Sequence, residues 1–224
     1  MSTAPTIESI ASGSLSQRAY AVLRDSLISG HFKPGQRLIM QELAEQLGTS
    51  ITPVREACMR IVSEGGLDLR SGRFAVVPPM TTERYMEVRL MRLELEGLAA
   101  EIAAQQATAE DVACLYEIHP QYVAADNDEQ SDDAFRLNRD FHFAVYRMSR
   151  MNMLVRHIEN LWTSMGPMLT VFFIRGKRTY FGSEVHKRVI ECIEARDGSG
   201  ARAAIRRDII EGGADFIRFL KEND

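Results

Sequence analysis

The sequence predicts a mainly α-helical protein in two parts, a small three-helix unit closed by a β-hairpin and then an all-helical bundle. Three observations predict it. Residues 42–64, ELAEQLGTSITPVREACMRIVSE, write two short amphipathic helices around a glycine turn. The segment LDLRSGRFAVV that follows alternates apolar residues about Ser71-Gly72, the pattern of a two-stranded hairpin. From residue 82 onward apolar residues recur at helical spacing, with no strand signal, which points to a bundle.

In chain order, MSTAPTIESIASGS has neither the basic start nor the apolar stretch of a signal peptide, and residues 1–14 are expected to be a disordered tail. Residues 16–29 form an amphipathic helix through Tyr20, Leu23 and Leu27, closed by Gly30, and Lys33-Pro34-Gly35 makes a turn. In the first helix of the 42–64 pair, Leu43, Ala44 and Leu47 share a face and Gly48 ends it. The second carries Val54, Ala57, Cys58, Ile61 and Val62 on one stripe, and Arg55, Glu56, Met59, Arg60 and Ser63 on the opposite arc. Thr52 is the expected start, because the residue before proline resists helical dihedrals, a threonine hydroxyl can cap, and proline loses nothing at the first helical position.

Helix, glycine turn and a second helix with a polar leading edge is the helix-turn-helix plan, whose second helix enters the major groove of DNA. With a third helix upstream and a hairpin downstream, residues 15–78 are expected to fold as a winged helix-turn-helix. Residues 79–83, in the stiff segment Val77-Pro78-Pro79-Met80-Thr81, are the expected linker to a helical domain over 84–224. There the spacing predicts helices over 82–105, 108–125 (bent or broken at Pro120), 134–149, 152–174 (disturbed at Gly166-Pro167), 183–196 and 200–221, with an acidic loop at 126–133. The first of these is apolar on two sides, Val88, Met91, Leu95, Leu98 and Ile102 on one and Tyr85, Leu93, Ala100 and Ala103 on the other. Such a helix is buried against its own bundle and against something further, and a second copy of the chain is the expected partner.

The net charge of −4 divides unevenly. Residues 1–80 hold 8 Lys/Arg and 7 Asp/Glu, whereas residues 81–224 hold 19 and 24. A near-neutral DNA reader must bind through a few placed arginines, which implies a small phosphate footprint per subunit and a homodimer on the operator. Cys58, Cys114 and Cys192 are odd in number and scattered, which argues against a disulfide framework and for a cytoplasmic protein. No run of 18 apolar residues occurs, so no membrane span is expected.

Four polar side chains stand inside apolar stripes of the bundle. Asn138 and His142 are i and i+4 among Phe135, Phe141 and Val145, while His186 is flanked by Val189, Ile190 and Ile193. Asp208 shares a face with Ala201, Ala204, Ile205 and Gly212. Each needs a polar partner inside, supplied either by a shared divalent metal or by a hydrogen-bonded cluster that takes an organic ligand directly. Arg89 lies on the Tyr85/Leu93/Ala100 side, where it either clamps a carboxylate ligand or pairs with Glu87 or Glu96.

LRDSLISGHFKPGQRL followed by ELAEQLGTSITPVREA resembles the N-terminal domain of GntR-type bacterial transcription regulators. NRDFH, EVHKRVIECIEARD and AAIRRDI resemble blocks of the all-helical effector domain of the FadR-like (FCD) branch, so that the resemblance covers about residues 15 to 220. It implies DNA contacts at Gln41, Ser50, Thr52, Arg55 and Arg60 and at the wing tip, Ser71, Gly72 and Arg73, with Arg24 a further candidate from the DNA-binding half. Where the family usually has arginine in its S-R-T-P-V-R-E block this chain has Ile51, which offers only apolar contact, so the operator is expected to differ there. The resemblance also implies a metal held by one aspartate and three histidines. These positions fall on Asn138, His142, His186 and Asp208, two imidazoles, one carboxylate and one amide oxygen, a set suited to zinc, nickel or a similar ion. The expected function is a ligand-responsive regulator, by family habit a repressor, sensing a small carboxylic acid. The alternative is a metal-dependent enzyme or metal sensor built on the same cluster, although no nucleophile arrangement or phosphate loop is written in the chain.

Overall fold

The computed structural model describes residues 15–127, 133–176, 179–180 and 182–223. The tail at 1–14 and most of the acidic loop at 126–133 lie outside the described residues. The N-terminal unit runs α1 (Leu15–Ile28), β1 (Arg37–Ile39), α2 (Met40–Gln46), α3 (Ile51–Ser63), β2 (Asp68–Ser71) and β3 (Phe74–Val76). Tyr20, Leu27, Met40, Val54, Ile61 and Leu67 fill its core. Gly30 and Gly48 take φ of +72° and +61° at the ends of α1 and of the helix-turn-helix turn, a conformation that glycine enters without a steric cost.

Two local features differ from expectation. The sheet has three strands in the order β1-β3-β2, because Arg37–Ile39 pairs antiparallel with Phe74–Val76. A three-residue strand has meaning only through its distant partner, and the Arg37 guanidinium packs over the Phe74 ring at 3.6 Å to close that pairing. The second helix starts two residues earlier than a Thr52 cap with Pro53 at the first helical position implies. Ser50 is its N-cap, in extended backbone with no side-chain cap bond, and Pro53 sits at the third helical position. That position is still within the first turn, where a missing N–H costs no intrahelical bond.

Among the described residues the second unit has six helices, α4 (Thr82–Gln106), α5 (Ala109–Asn127), α6 (Asp133–Met148), α7 (Asn152–Arg175), α8 (Ser183–Glu194) and α9 (Gly198–Asn223). Thr81 caps α4, its hydroxyl accepting from the Arg84 amide at 3.2 Å. α4 lies along α9 and also touches α6, α7 and α8, so it is the axis around which the core of Tyr85, Phe141, Tyr146, Trp162, Ile205 and Phe216 is arranged. Its inward stripe is Tyr85, Val88, Arg92, Glu96, Ala99 and Ala103, while Leu90 and Met91 of the outer side remain 63% and 47% exposed. α5 continues through Pro120 and α7 through Gly166-Pro167. Each is packed on at least two neighbours, α5 on α6 and α8, α7 on α1, α4 and α6, and that packing offsets the roughly 3 kcal/mol a mid-helix proline costs.

α7 also joins the two units. A Cβ on Gly166 would lie 2.5 Å from the Leu27 carbonyl oxygen, so the glycine is what lets the end of α1 dock against the middle of α7. Arg24 of α1 pairs with Glu159 of α7 at 2.9 Å, and Arg84 Nη2 of α4 donates to the Gly65 carbonyl. No helix among the described residues is long and apolar enough to cross a membrane.

Candidate functional site

Helix α3 buries Val54, Ala57, Cys58 and Ile61 and turns Thr52, Arg55, Glu56 and Met59 outward. Arg55 is exposed and makes no ion pair or side-chain hydrogen bond among the described residues, so its guanidinium is free for an external acceptor. Gln41 is exposed beside it on α2, bonded to Glu45 at 3.1 Å, and Ser50 is exposed at the helix start. At the far edge of the sheet Ser71, Gly72 and Arg73 form the exposed wing tip, with the Arg73 amide donating to Ser71 Oγ at 3.2 Å. Two arginines named as contacts face elsewhere. Arg24 is drawn into the inter-unit pair with Glu159, and Arg60 is folded back over the Tyr20 ring at 3.7 Å and onto Glu64 at 3.1 Å. Their partners, nearby acids and a tyrosine ring, hold them at the junction with α7.

In the helical unit α6, α8 and α9 converge. His142 Nε2 lies 3.2 Å from Asp208 Oδ2, and His186 Nε2 lies 3.6 Å from Asp208 Oδ1. One ligating atom from each of the three falls within 4.8 Å of the others, and all three side chains are buried. Asn138, one turn before His142 on α6, lines a cavity of about 80 Å³ with His142, Asp208, Tyr122, Tyr180 and Arg92. The four polar residues that interrupt the apolar stripes are therefore brought to one place.

Arg89 is not. Its Nη2 donates to the Ile210 carbonyl of α9 at 3.1 Å, and it forms no part of the cavity wall. One turn further along α4, Arg92 turns inward in its stead and is clamped to Glu96 by two bonds, Nε to Oε1 at 2.7 Å and Nη2 to Oε2 at 3.1 Å. Glu96 also accepts from Trp162 Nε1 at 2.9 Å and from the Tyr146 hydroxyl at 2.6 Å. The signal for this pair was present, since Arg92 and Glu96 are i and i+4 on the stripe of Tyr85, Val88, Ala99 and Ala103. Tyr180, whose hydroxyl donates to Asp208 Oδ1 at 2.8 Å, lies outside any helix and left no periodic signal.

The electrostatics separate the members. Burial pushes the His186 imidazole down to about 3, so it is neutral. Burial pushes the Asp208 carboxyl up, but the bond from His142, the neighbouring imidazoles and the Tyr180 hydroxyl outweigh it and hold Asp208 well below the usual carboxylate range. Both ring nitrogens of His186 are buried without a hydrogen-bond partner among the described residues, while Phe141 stacks on the ring at 4.1 Å. Buried polar atoms are rarely left so. Ligands about 2.0 Å from a tetrahedral ion sit roughly 3.3 Å apart, close to the 3.2 and 3.6 Å edges here. The donor set therefore fits a divalent metal.

Residues 15–77 match the family described as bacterial regulatory proteins, gntR family, and residues 87–211 match the FCD domain. The HTH-type transcriptional regulator McbR of Escherichia coli K12 is 35% identical over 182 residues, 80% of this chain and 82% of that protein. The transcriptional repressor RspR of the same organism is 23% identical over 210 residues, 93% of this chain and 92% of its own. The solved structure of E. coli McbR/YncC matches at a TM-score of 0.82 and 31% identity, over 95% of this chain and 99% of that one. The likeness runs along nearly the whole chain, which belongs to the GntR family of bacterial transcription regulators, in its FadR-like branch with an FCD effector domain.

Proposed function

We propose that the chain is a cytoplasmic, homodimeric repressor that releases or rearranges on its operator when a small carboxylic acid enters the cavity of the FCD domain. The observation that carries this reading is His186, a neutral, buried imidazole with neither nitrogen bonded and an anionic carboxylate 3.6 Å away. His142, His186 and Asp208 would hold a divalent ion such as zinc or nickel, with the Asn138 amide oxygen as fourth donor. When bound, the ion supplies a Lewis-acidic anchor for a carboxylate oxygen. Arg92, whose Nη1 makes no hydrogen bond among the described residues, takes the clamping role expected of Arg89. The relatives are regulators, not enzymes, and sensing accounts for the cavity without turnover.

Operator reading falls to Arg55 with Gln41, Ser50 and Thr52 on one side and Ser71, Gly72 and Arg73 on the wing, while Arg24 and Arg60 brace the junction with α7. The exposed Leu90, Met91 and Ile210 on the outer faces of α4 and α9 support a second copy as the dimer partner. α7 supplies a route between sites, since Trp162, Leu169 and Phe172 line the cavity while Gly166 carries α1.

Two measurements test the reading. Dialysis against Zn²⁺ is expected to leave one ion per chain, with Asp208→Ala lowering affinity more than Asn138→Ala because it removes the anionic ligand. A folded wild type that takes up no metal would make the cavity an organic-ligand pocket. Against an operator selected from random duplexes by the wild type, Arg55→Ala is expected to lose roughly 1–3 kcal/mol per half-site with circular dichroism unchanged. Undiminished binding by that variant would remove Arg55 from the contact set.

A further inference from the structure

The hydrogen bonds around Glu96 have a direction, and it reaches the cavity. Glu96 is fully buried and accepts four bonds, two of them from the Arg92 guanidinium. With an arginine bound to both its oxygens it is ionised, and a carboxylate only accepts. The Tyr146 hydroxyl, 2.6 Å from Glu96 Oε2, therefore spends its single proton there. The same hydroxyl oxygen lies 2.9 Å from His142 Nδ1 and has only acceptor capacity left. His142 must then donate from Nδ1.

We propose that Glu96 and Tyr146 are positioning residues that lock the proton of His142 on Nδ1, so that Nε2 is the nitrogen offered to the cavity. That nitrogen faces Asp208 Oδ2 at 3.2 Å. A carboxylate and a bare imidazole lone pair repel at this distance, so Nε2 holds either a second proton or a cation, and the relay leaves it free to exchange one for the other. Tyr146 is one turn from His142 on α6, and Glu96 reaches it from α4. The FCD axis helix thus sets the chemical form of a ligand on a neighbouring helix. Carboxylate-to-histidine relays of this kind raise the basicity and fix the orientation of metal-binding imidazoles. The inference rests on the metal reading above only for what meets Nε2; the proton position on Nδ1 follows from the hydrogen bonds alone.

The test is long-range ¹H–¹⁵N correlation on ¹⁵N-histidine-labelled, metal-free full chain, with His142 assigned by substitution. The expected result is a proton on Nδ1, with a second proton on Nε2 toward Asp208 while no cation is present. In Tyr146→Phe, Nδ1–H has lost its acceptor while Nε2–H still has Asp208, so the neutral ring is expected to switch to the Nε2–H form. Zn²⁺ affinity, read by competition with a chelating dye, is expected to fall roughly 10- to 100-fold in that variant. A neutral wild-type His142 with Nδ1 bare overturns the proposal and needs no variant to be seen. An unchanged tautomer in a folded Tyr146→Phe also overturns it. A wild type with Nδ1–H that takes up no Zn²⁺ supports the relay and overturns the metal reading instead.

Discussion

The FCD domain holds two buried polar clusters that share one hydrogen bond, and they are finished to different degrees. In the first, the Glu96 carboxylate is saturated by Arg92, Trp162 and Tyr146, every donor lying between 2.6 and 3.1 Å, and only Arg92 Nη1 is left over toward the cavity. In the second, Asp208 is shared by His142, His186 and Tyr180, yet His186 keeps two unbonded nitrogens and its approach to Asp208 stays at 3.6 Å. Both are buried around a carboxylate, the first where α4, α6 and α7 meet and the second where α6, α8 and α9 meet. The difference teaches which cluster is architecture. A saturated network orients side chains and asks for nothing more; an unsaturated one at the same depth is stable only with something added, or at a standing cost.

Removing the acid from the saturated cluster is the harshest test of that division. Glu96→Ala would strand the Arg92 guanidinium in the core and leave Trp162 Nε1 and the Tyr146 hydroxyl without their acceptor. Breaking a buried pair from one side typically costs about 3–5 kcal/mol, and urea unfolding of the full chain is the measurement. A loss below roughly 1 kcal/mol would mean that the cluster is hydrated and that its closure is not what holds α4 to α6 and α7.

The same contrast explains what could be read from the chain. Asn138, His142, His186 and Asp208 were legible because each breaks an apolar stripe, and a stripe is a local, periodic object. The winged helix was legible for the same reason, through Val54, Ala57, Cys58 and Ile61 against Arg55. Arg92 was missed in favour of Arg89, three residues away, because α4 has apolar residues on both flanks and only packing against α9 decides which flank is inward. Met91, counted on one of those flanks, is exposed here. β1 and the Arg24–Glu159 pair depend on partners far along the chain, and Tyr180 belongs to no helix. Thr52 as a cap failed on a competition with Ser50 two residues away, the scale at which local preference is weakest against packing.

Acid offers a gentler way to separate the clusters, because only the unsaturated one titrates in an accessible range. Burial weakens the hold of the Arg92 guanidinium on its proton, but the Glu96 charge and hydrogen bonds outweigh it and raise that hold above its ordinary range, so Arg92 stays charged at any working pH. His186 is different: its ordinary value of 6.5 is lowered by burial to about 3. Between those values the unfolded chain binds a proton that the folded chain refuses, so the folded state is penalised progressively as pH falls through 6.5 and the penalty grows until His186 itself protonates. One group so displaced gives a slope of at most about 1.4 kcal/mol per pH unit. Asp208, with its value lowered in the folded state, contributes in the same direction but in a lower window, its stabilisation being lost only below the ordinary aspartate value of 3.8. In metal-free protein, urea midpoints are therefore expected to fall from pH 6.5 toward pH 4, and His186→Phe, which keeps a ring against Phe141 but cannot take a proton, is expected to flatten that part of the profile. An equally steep profile in the variant would assign the acid sensitivity to another group and would leave the buried imidazole satisfied by contacts other than those that now surround it.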